Sequence, residues 1–346
     1  MIMNNCIQRG RISMLSLFAI MLCAQVFGIE PFASYPWGDK PGEFGKYVSE
    51  GEEQKYGTGS IVIDDDNNIY ANDVENLLIQ KFDNNGVYVK SYTLPGNEYP
   101  EALRLSRKVA GYNMYYSQGF YASDTNYNIW HITDNGIEKM SNGDIVENSA
   151  SFRISPQGYI LTAAWKQIGT WIEGGDGSYK GLLPMKDVCF DHSGIAYGIE
   201  KADYSPAPAS ITNLSISSSG ILAGERKTNS VKLTIPTFSR YSLRLIDVQE
   251  NLPGMKPGER NFFIHRNDMD ADKKIISRVF QYSDAGVLLK QLNLDELEAG
   301  DIATTQLYNR IAITKDGEVI VAIANKDGQK FYRLPMEDVK QDTIQK

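Results

Sequence analysis

The sequence predicts an all-β protein: a six-bladed β-propeller with four-stranded antiparallel blades, closed by an N-terminal strand. Three observations carry this expectation. Downstream of residue 58 helical periodicity is nearly absent, and short apolar stretches are broken by Asn, Asp, Ser and Gly. The same strand–turn–strand pattern returns at intervals of roughly 50 residues. Finally, the turns fall into two interleaved ladders of unequal length, which leaves one blade short of a strand.

The elements follow in order. Residues 1–28 hold Arg9 and Arg11, no acid, and an apolar run from Met14 to Phe27. A basic start and a short apolar stretch make a secretory signal peptide, with cleavage expected before Ile29. Cys23 raises a lipid-anchored alternative, but Ile20-Met-Leu22 lacks the small residues such a site needs. Export to the periplasm or the medium is therefore expected, with membrane contact only through a retained N-terminal anchor. Cleavage removes Cys6 and Cys23 and leaves Cys189 alone, so no internal disulfide is available. Within Asp187-Val-Cys-Phe-Asp191, Cys189 reads as a small buried hydrophobe.

Residues 29–57 are expected to close the last blade, residues 58–340 to form the propeller, and 341–346 to be a polar tail. Ser60–Asp73 reads as strand, polar turn, strand, and Leu77–Lys90 as a second pair around Asn85-Gly86. Phe120-Tyr-Ala-Ser-Asp124 restates Ile69-Tyr-Ala-Asn-Asp73, and Ile129–Gly136 restates the Asn-Gly turn. Inner turns fall near 68, 119, 158, 194 and 317, with room for a sixth around Pro253–Gly258; outer turns fall near 86, 136, 177, 220 and 286. The sixth blade runs out after Lys330–Pro335, so Pro31 to about Tyr47 is expected to supply its outer strand.

The runs Asp66-Asn-Asn-Ile-Tyr-Ala-Asn-Asp73, Ile79-Gln-Lys-Phe-Asp-Asn-Asn-Gly86 and Trp37-Gly-Asp-Lys-Pro-Gly-Glu-Phe44 resemble the NHL repeat. The match is good over 37–95, fair over 115–140 and degenerate afterwards. The resemblance implies a six-bladed propeller used as a scaffold for protein, glycan or small-ligand binding. It does not imply one activity, because such propellers host binders and enzymes alike.

Asp64-Asp-Asp-Asn-Asn68 has the look of a calcium loop but carries Ile69 where the tight turn needs Gly, so it reads as a self-capping blade turn. Asn267-Asp-Met-Asp-Ala-Asp272 alternates carboxylates but runs into Lys273 and Lys274, and reads as a solvated loop with calcium its one conceivable cation. His131, His192 and His265 fall at unequal strand positions, so a shared metal site is not expected. Glu101, Asn113, Asn213 and Asp247 are available for a lactonase-like cation, yet no spacing singles them out. Serine-elbow, zinc-helix and phosphate-loop motifs are absent from the sequence.

The expected function is non-catalytic binding of a protein or glycan on one rim, by a monomer without a cofactor. The alternative is a metal-dependent propeller hydrolase or lyase with a site in the central channel. Candidate ligand contacts are Trp165 and Trp171, as aromatics on a blade connection, with Tyr204, Arg266, Asp268 and Asp270 on inserted loops. The loops 201–208 and 266–274 are placed on second-to-third-strand connections and Pro253–Asn261 on the opposite face. A formal charge of −8 and a pI near 5.1 disfavour nucleic acid, whose phosphates need a basic surface.

Overall fold

Polar turns in this chain repeat one hydrogen-bond pattern, and that pattern sets the strand register. At Asp64–Asn68, Asp83–Val87, Ser283–Val287 and Thr314–Glu318 the first residue's N–H donates to the fifth residue's carbonyl at 2.9–3.1 Å. The fourth residue's N–H donates back to the first carbonyl at 2.9 Å. That fourth residue is Asn67, Gly86, Gly286 or Gly317, each with φ between 61° and 81°. A left-handed residue at this place suits Gly and Asn. The first side chain accepts the fifth N–H: Asn68 to Asp64 Oδ1 at 2.8 Å, Val87 to Asp83 Oδ1 at 2.8 Å, Glu318 to Thr314 Oγ1 at 3.0 Å. The Asn85-Gly86 turn is thus a longer loop with a glycine bulge rather than the tight two-residue hairpin the dipeptide implied.

The computed structural model describes residues 29–46, 57–73, 75–95, 114–116, 120–123, 129–133, 135–141, 149–154, 160–164, 170–173, 179–183, 185–191, 195–200, 213–219, 229–234, 241–269, 275–298 and 310–339. The strands, in chain order, are β1 (Ala33–Tyr35), β2 (Thr58–Ile63), β3 (Ile69–Asp73), β4 (Leu78–Phe82), β5 (Tyr88–Tyr92), β6 (Met114–Tyr116), β7 (Phe120–Ser123), β8 (Ile129–Thr133) and β9 (Gly136–Ser141). They continue as β10 (Ser149–Ile154), β11 (Ile160–Ala164), β12 (Thr170–Glu173), β13 (Tyr179–Leu183), β14 (Met185–Phe190), β15 (Ala196–Glu200), β16 (Asn213–Ser219) and β17 (Asn229–Thr234). The last are β18 (Tyr241–Glu250), β19 (Arg260–Met269), β20 (Ile275–Ser283), β21 (Leu288–Asn293), β22 (Ile311–Ile313), β23 (Val319–Asn325), β24 (Gly328–Leu334) and β25 (Glu337–Asp338).

These strands pair into six antiparallel sheets: β2–β5, β6–β9, β10–β13, β14–β17, β18–β21 with β25 on its edge, and β22–β24 completed by β1. First strands meet their neighbours around a ring. β2 lies against β6 and β22, β6 against β10, β14 against β11, β12 and β18, and β18 against β22. A closed ring of four-stranded sheets, each burying its faces on the next, is a β-propeller. Residues 31–346 form one compact unit.

Closure follows the expectation. Ala33, Ser34 and Tyr35 pair antiparallel with Phe331, Lys330 and Gln329. Tyr35, Phe44, Phe82 and Phe331 then form one aromatic cluster with centroids 4.5–6.2 Å apart. The C-terminal β25 lies past Pro335, where the sixth blade was expected to run out, yet it adds a fifth strand to the fifth sheet, with Lys290↔Asp338 and Gln291↔Glu337.

The fifth sheet also departs from the sequence reading. Arg266 and Asp268 were placed in a loop, but β19 runs on through Met269, paired to Ile275 of β20. Arg266 is fully buried, opposite Leu243 and Arg278. Ten- and nine-residue strands hold these polar positions in the ladder, so only 270–274 connects β19 to β20. The signal peptide, Trp165, Tyr204, Asp270 and His192 lie outside the described residues.

Candidate functional site

Strand alternation decides which connections share a face. Each blade's first-to-second and third-to-fourth turns lie at one end of the ring. Its second-to-third connection and the crossing to the next blade lie at the other. The segments 165–169, 201–212 and 270–274 are all second-to-third connections, and 251–259 is a first-to-second turn on the opposite face. Of the segments the sequence singled out, the Pro253 turn is thus a first-to-second connection, 266–269 belongs to β19, and 201–208 and 270–274 lie outside the described residues.

On the crossing face, the chain leaving β1 folds back on itself. Gly38 donates to the Phe44 carbonyl at 2.8 Å, Phe44 to the Pro36 carbonyl at 3.1 Å, and Glu43 to the Lys40 carbonyl at 2.9 Å. Phe44 is fully buried and anchors the loop in the aromatic cluster. Trp37 is half-buried, with its indole N–H donating to the Asn325 carbonyl at the end of β23 at 3.1 Å. The loop thus spans the seam between the last sheet and the first.

Asp73, the last residue of β3, ties this loop to the first blade. Its carboxylate accepts Gly45 N–H at 3.0 and 3.2 Å, Asn76 N–H at 3.3 Å, Asn76 Nδ2 at 2.8 Å and Gln80 Nε2 at 3.1 Å. Gln80 also donates to the Glu43 carbonyl at 2.6 Å and accepts Gly42 N–H at 3.0 Å. Asp73 is fully buried. Burial raises its carboxyl above the ordinary value, against the lowering effect of the hydrogen bonds from Gly45, Asn76 and Gln80. Gly45 has no room for a side chain: a Cβ there would lie 2.4 Å from the Glu75 Cβ.

Between loop and blade lies an open cleft of about 430 Å³, lined by Trp37, Gly38, Asp39, Gly45, Lys46, Glu75 and Asn76. That volume is in the range of small-ligand sites. The sequence marked Trp37–Phe44 and Asp73 only as repeat signatures; it gave no sign that they meet, because the hydrogen bonds joining them span 28–38 residues.

The residues the sequence singled out lie elsewhere. Trp171 is inside β12, paired with Thr162 and Leu182, rather than on a connection, and Asp268 is inside β19 opposite Tyr241 and Ile276. Arg266 does not line the cleft. Asp247 is engaged locally, accepting Val248 N–H at 2.9 Å and Gln249 Nε2 at 2.8 Å. His131 sits in β8 and His265 in β19, in different sheets. Among the described residues no three His, Cys, Asp or Glu side chains are grouped to hold a metal ion. Asp64 caps its own turn and receives the Tyr70 hydroxyl at 3.2 Å. Cys189 is buried, its thiol directed at the Leu245 and Ile246 carbonyls across the sheet boundary.

No family model matches the chain, and no curated protein matches it either. Among solved structures it is similar to a Bacteroides fragilis protein described as exported, at 11% identity over 90% of this chain and 96% of that one, TM-score 0.49. It is similar to the calcium-binding protein regucalcin of Agrobacterium tumefaciens at 10% identity, covering 89% and 95%, TM-score 0.44. Virginiamycin B lyase of Staphylococcus aureus gives 13% identity, 83% and 85%, and TM-score 0.38. The propeller assignment itself rests on the strand order and ring contacts of this chain.

Proposed function

We propose that the chain is an exported, NHL-type binding propeller whose working surface is the face of the second-to-third connections and inter-blade crossings. One observation carries the reading: the cleft beside Trp37 is built from the β1–β2 crossing and the β3–β4 connection, which belong to that face. Strands hold the ring while connections vary freely, so ligand contacts accumulate where connections cluster. The polar, charged lining of the cleft and the basic-then-apolar N-terminus agree with a surface that meets a protein, glycan or small ligand outside the cytoplasm.

The test replaces 201–208 and 270–273 by short Asn-Gly turns. Binding of the purified protein to arrayed glycans and to extracted envelope proteins is then compared with the unmodified chain. Loss of binding with nearly unchanged thermal stability is expected. Unchanged binding, or a grafted chain that unfolds, would sink the assignment of this face. Crystals soaked with calcium or zinc address the competing enzyme class: a cation held by three carboxylate or amide oxygens in the central channel would favour a metal-dependent hydrolase or lyase.

A further inference from the structure

We propose that the cleft beside Trp37 is a saccharide subsite that takes a neutral, hydroxyl-rich sugar ring. The inference rests on the rim-face reading above and names its ligand class.

The polar atoms of the cleft are mostly acceptors. Asn76 spends its Nδ2 hydrogens on the Gly38 carbonyl, at 2.8 Å, and on Asp73 Oδ2, at 2.8 Å. Its Oδ1 is the polar atom the amide has left. Asp39 is exposed and adds a carboxylate. Such groups recognise a ligand that donates several hydrogen bonds at once, as a polyol does. Lys46 is the one cation among the described lining residues and is itself engaged. The exposed Asp39 carboxylate disfavours an anionic sugar.

Trp37 supplies the complementary half. Its N–H is already given to Asn325, so the side chain serves the cleft as an apolar aromatic wall. A pyranose presents apolar C–H faces and a rim of hydroxyls, and the electron-rich aromatic face attracts such partly positive hydrogens. Gly38 and Gly45 line the cleft with backbone alone, and a Cβ there would strike the side chains of Glu43 and Glu75 respectively. The site is also held before any ligand arrives: the Asp73 carboxylate fixes Gly45 and Asn76 through four hydrogen-bond contacts. The acceptors therefore need little further ordering on binding.

The experiment titrates the full exported chain with cellotriose, maltotriose and N,N′-diacetylchitobiose, with trigalacturonate as the anionic control. Calorimetry and tryptophan emission are followed together. Saturable binding of at least one neutral sugar is expected, with none for trigalacturonate. Asp39→Asn should weaken it roughly tenfold or more, the scale of one charge-assisted hydrogen bond. Trp37→Phe should abolish the emission change, which assigns the signal to one of the 4 tryptophans. Asp39 is exposed, so its variant reports on binding even where Trp37→Phe fails to fold. Failure of every neutral sugar to bind at millimolar concentration overturns the inference, as does an Asp39→Asn protein that binds like the original. Loss of partner binding in the loop grafts, with no sugar bound by the unmodified chain, would reject the subsite while leaving the rim-face reading standing.

Discussion

Asp73 and His265 are both buried ionisable groups, and they act in different ways. Asp73 stays bound by donors from three directions and so functions as a knot between chain segments. His265 faces the sixth blade, with Nε2 at 2.8 Å from Ser277 Oγ and the Arg244 charge nearby. Burial first, and Arg244 second, lower its pKa from 6.5 to about 3. The folded imidazole is therefore neutral, while the unfolded one protonates below about pH 6.5. Its stabilising contribution is complete above that pH and declines as pH falls towards 3, by on the order of 1 kcal/mol per pH unit. His265→Gln keeps a polar partner for Ser277 and removes the titration. Urea unfolding at pH 7, 6, 5 and 4 should show a shallower acid loss in the variant. Parallel curves would mean that His265 does not titrate this way.

At the scale of elements, the sequence was legible where turn residues recur. The left-handed Asn67, Gly86, Gly286 and Gly317 were visible as Asn or Gly between apolar runs, and they place strand ends well. Polar strand residues defeated the same reasoning: Arg266-Asn-Asp-Met269 reads as loop because its burial depends on the neighbouring blade. Glu337-Asp338 gave no strand to the sequence reading because two exposed acids carry no strand signal of their own. The two closing segments should differ in weight. β1 brings Tyr35, and the loop after it brings Phe44, into the aromatic cluster, where truncating a buried aromatic costs about 3–5 kcal/mol. β25 makes two residue pairs with exposed side chains. Deleting residues 31–46 should strand the β24 edge and cause aggregation, whereas ending the chain at Leu334 should lower the melting temperature by a smaller amount. Equal melting of the 31–46 deletion and the full chain would show that β1 does not close the ring.

For the whole molecule, ring closure and the proposed export are linked by chain length. Each sheet buries its faces on two neighbours, so the outer strand contributed by residues 33–35 joins the start of the propeller to its last blade. Only Ile29, Glu30, Pro31 and Phe32 separate the expected cut after Gly28 from that strand. Four residues reach about 14 Å at full extension. A retained apolar anchor would therefore hold the edge of the last blade against the bilayer, whereas cleavage frees it. No helix among the described residues is long and apolar enough to cross a membrane. Intact-mass measurement on protein from its native cells should find a chain beginning near Ile29, recovered without detergent. A chain that keeps Met1, or one carrying a lipid on Cys23, would replace release with anchoring.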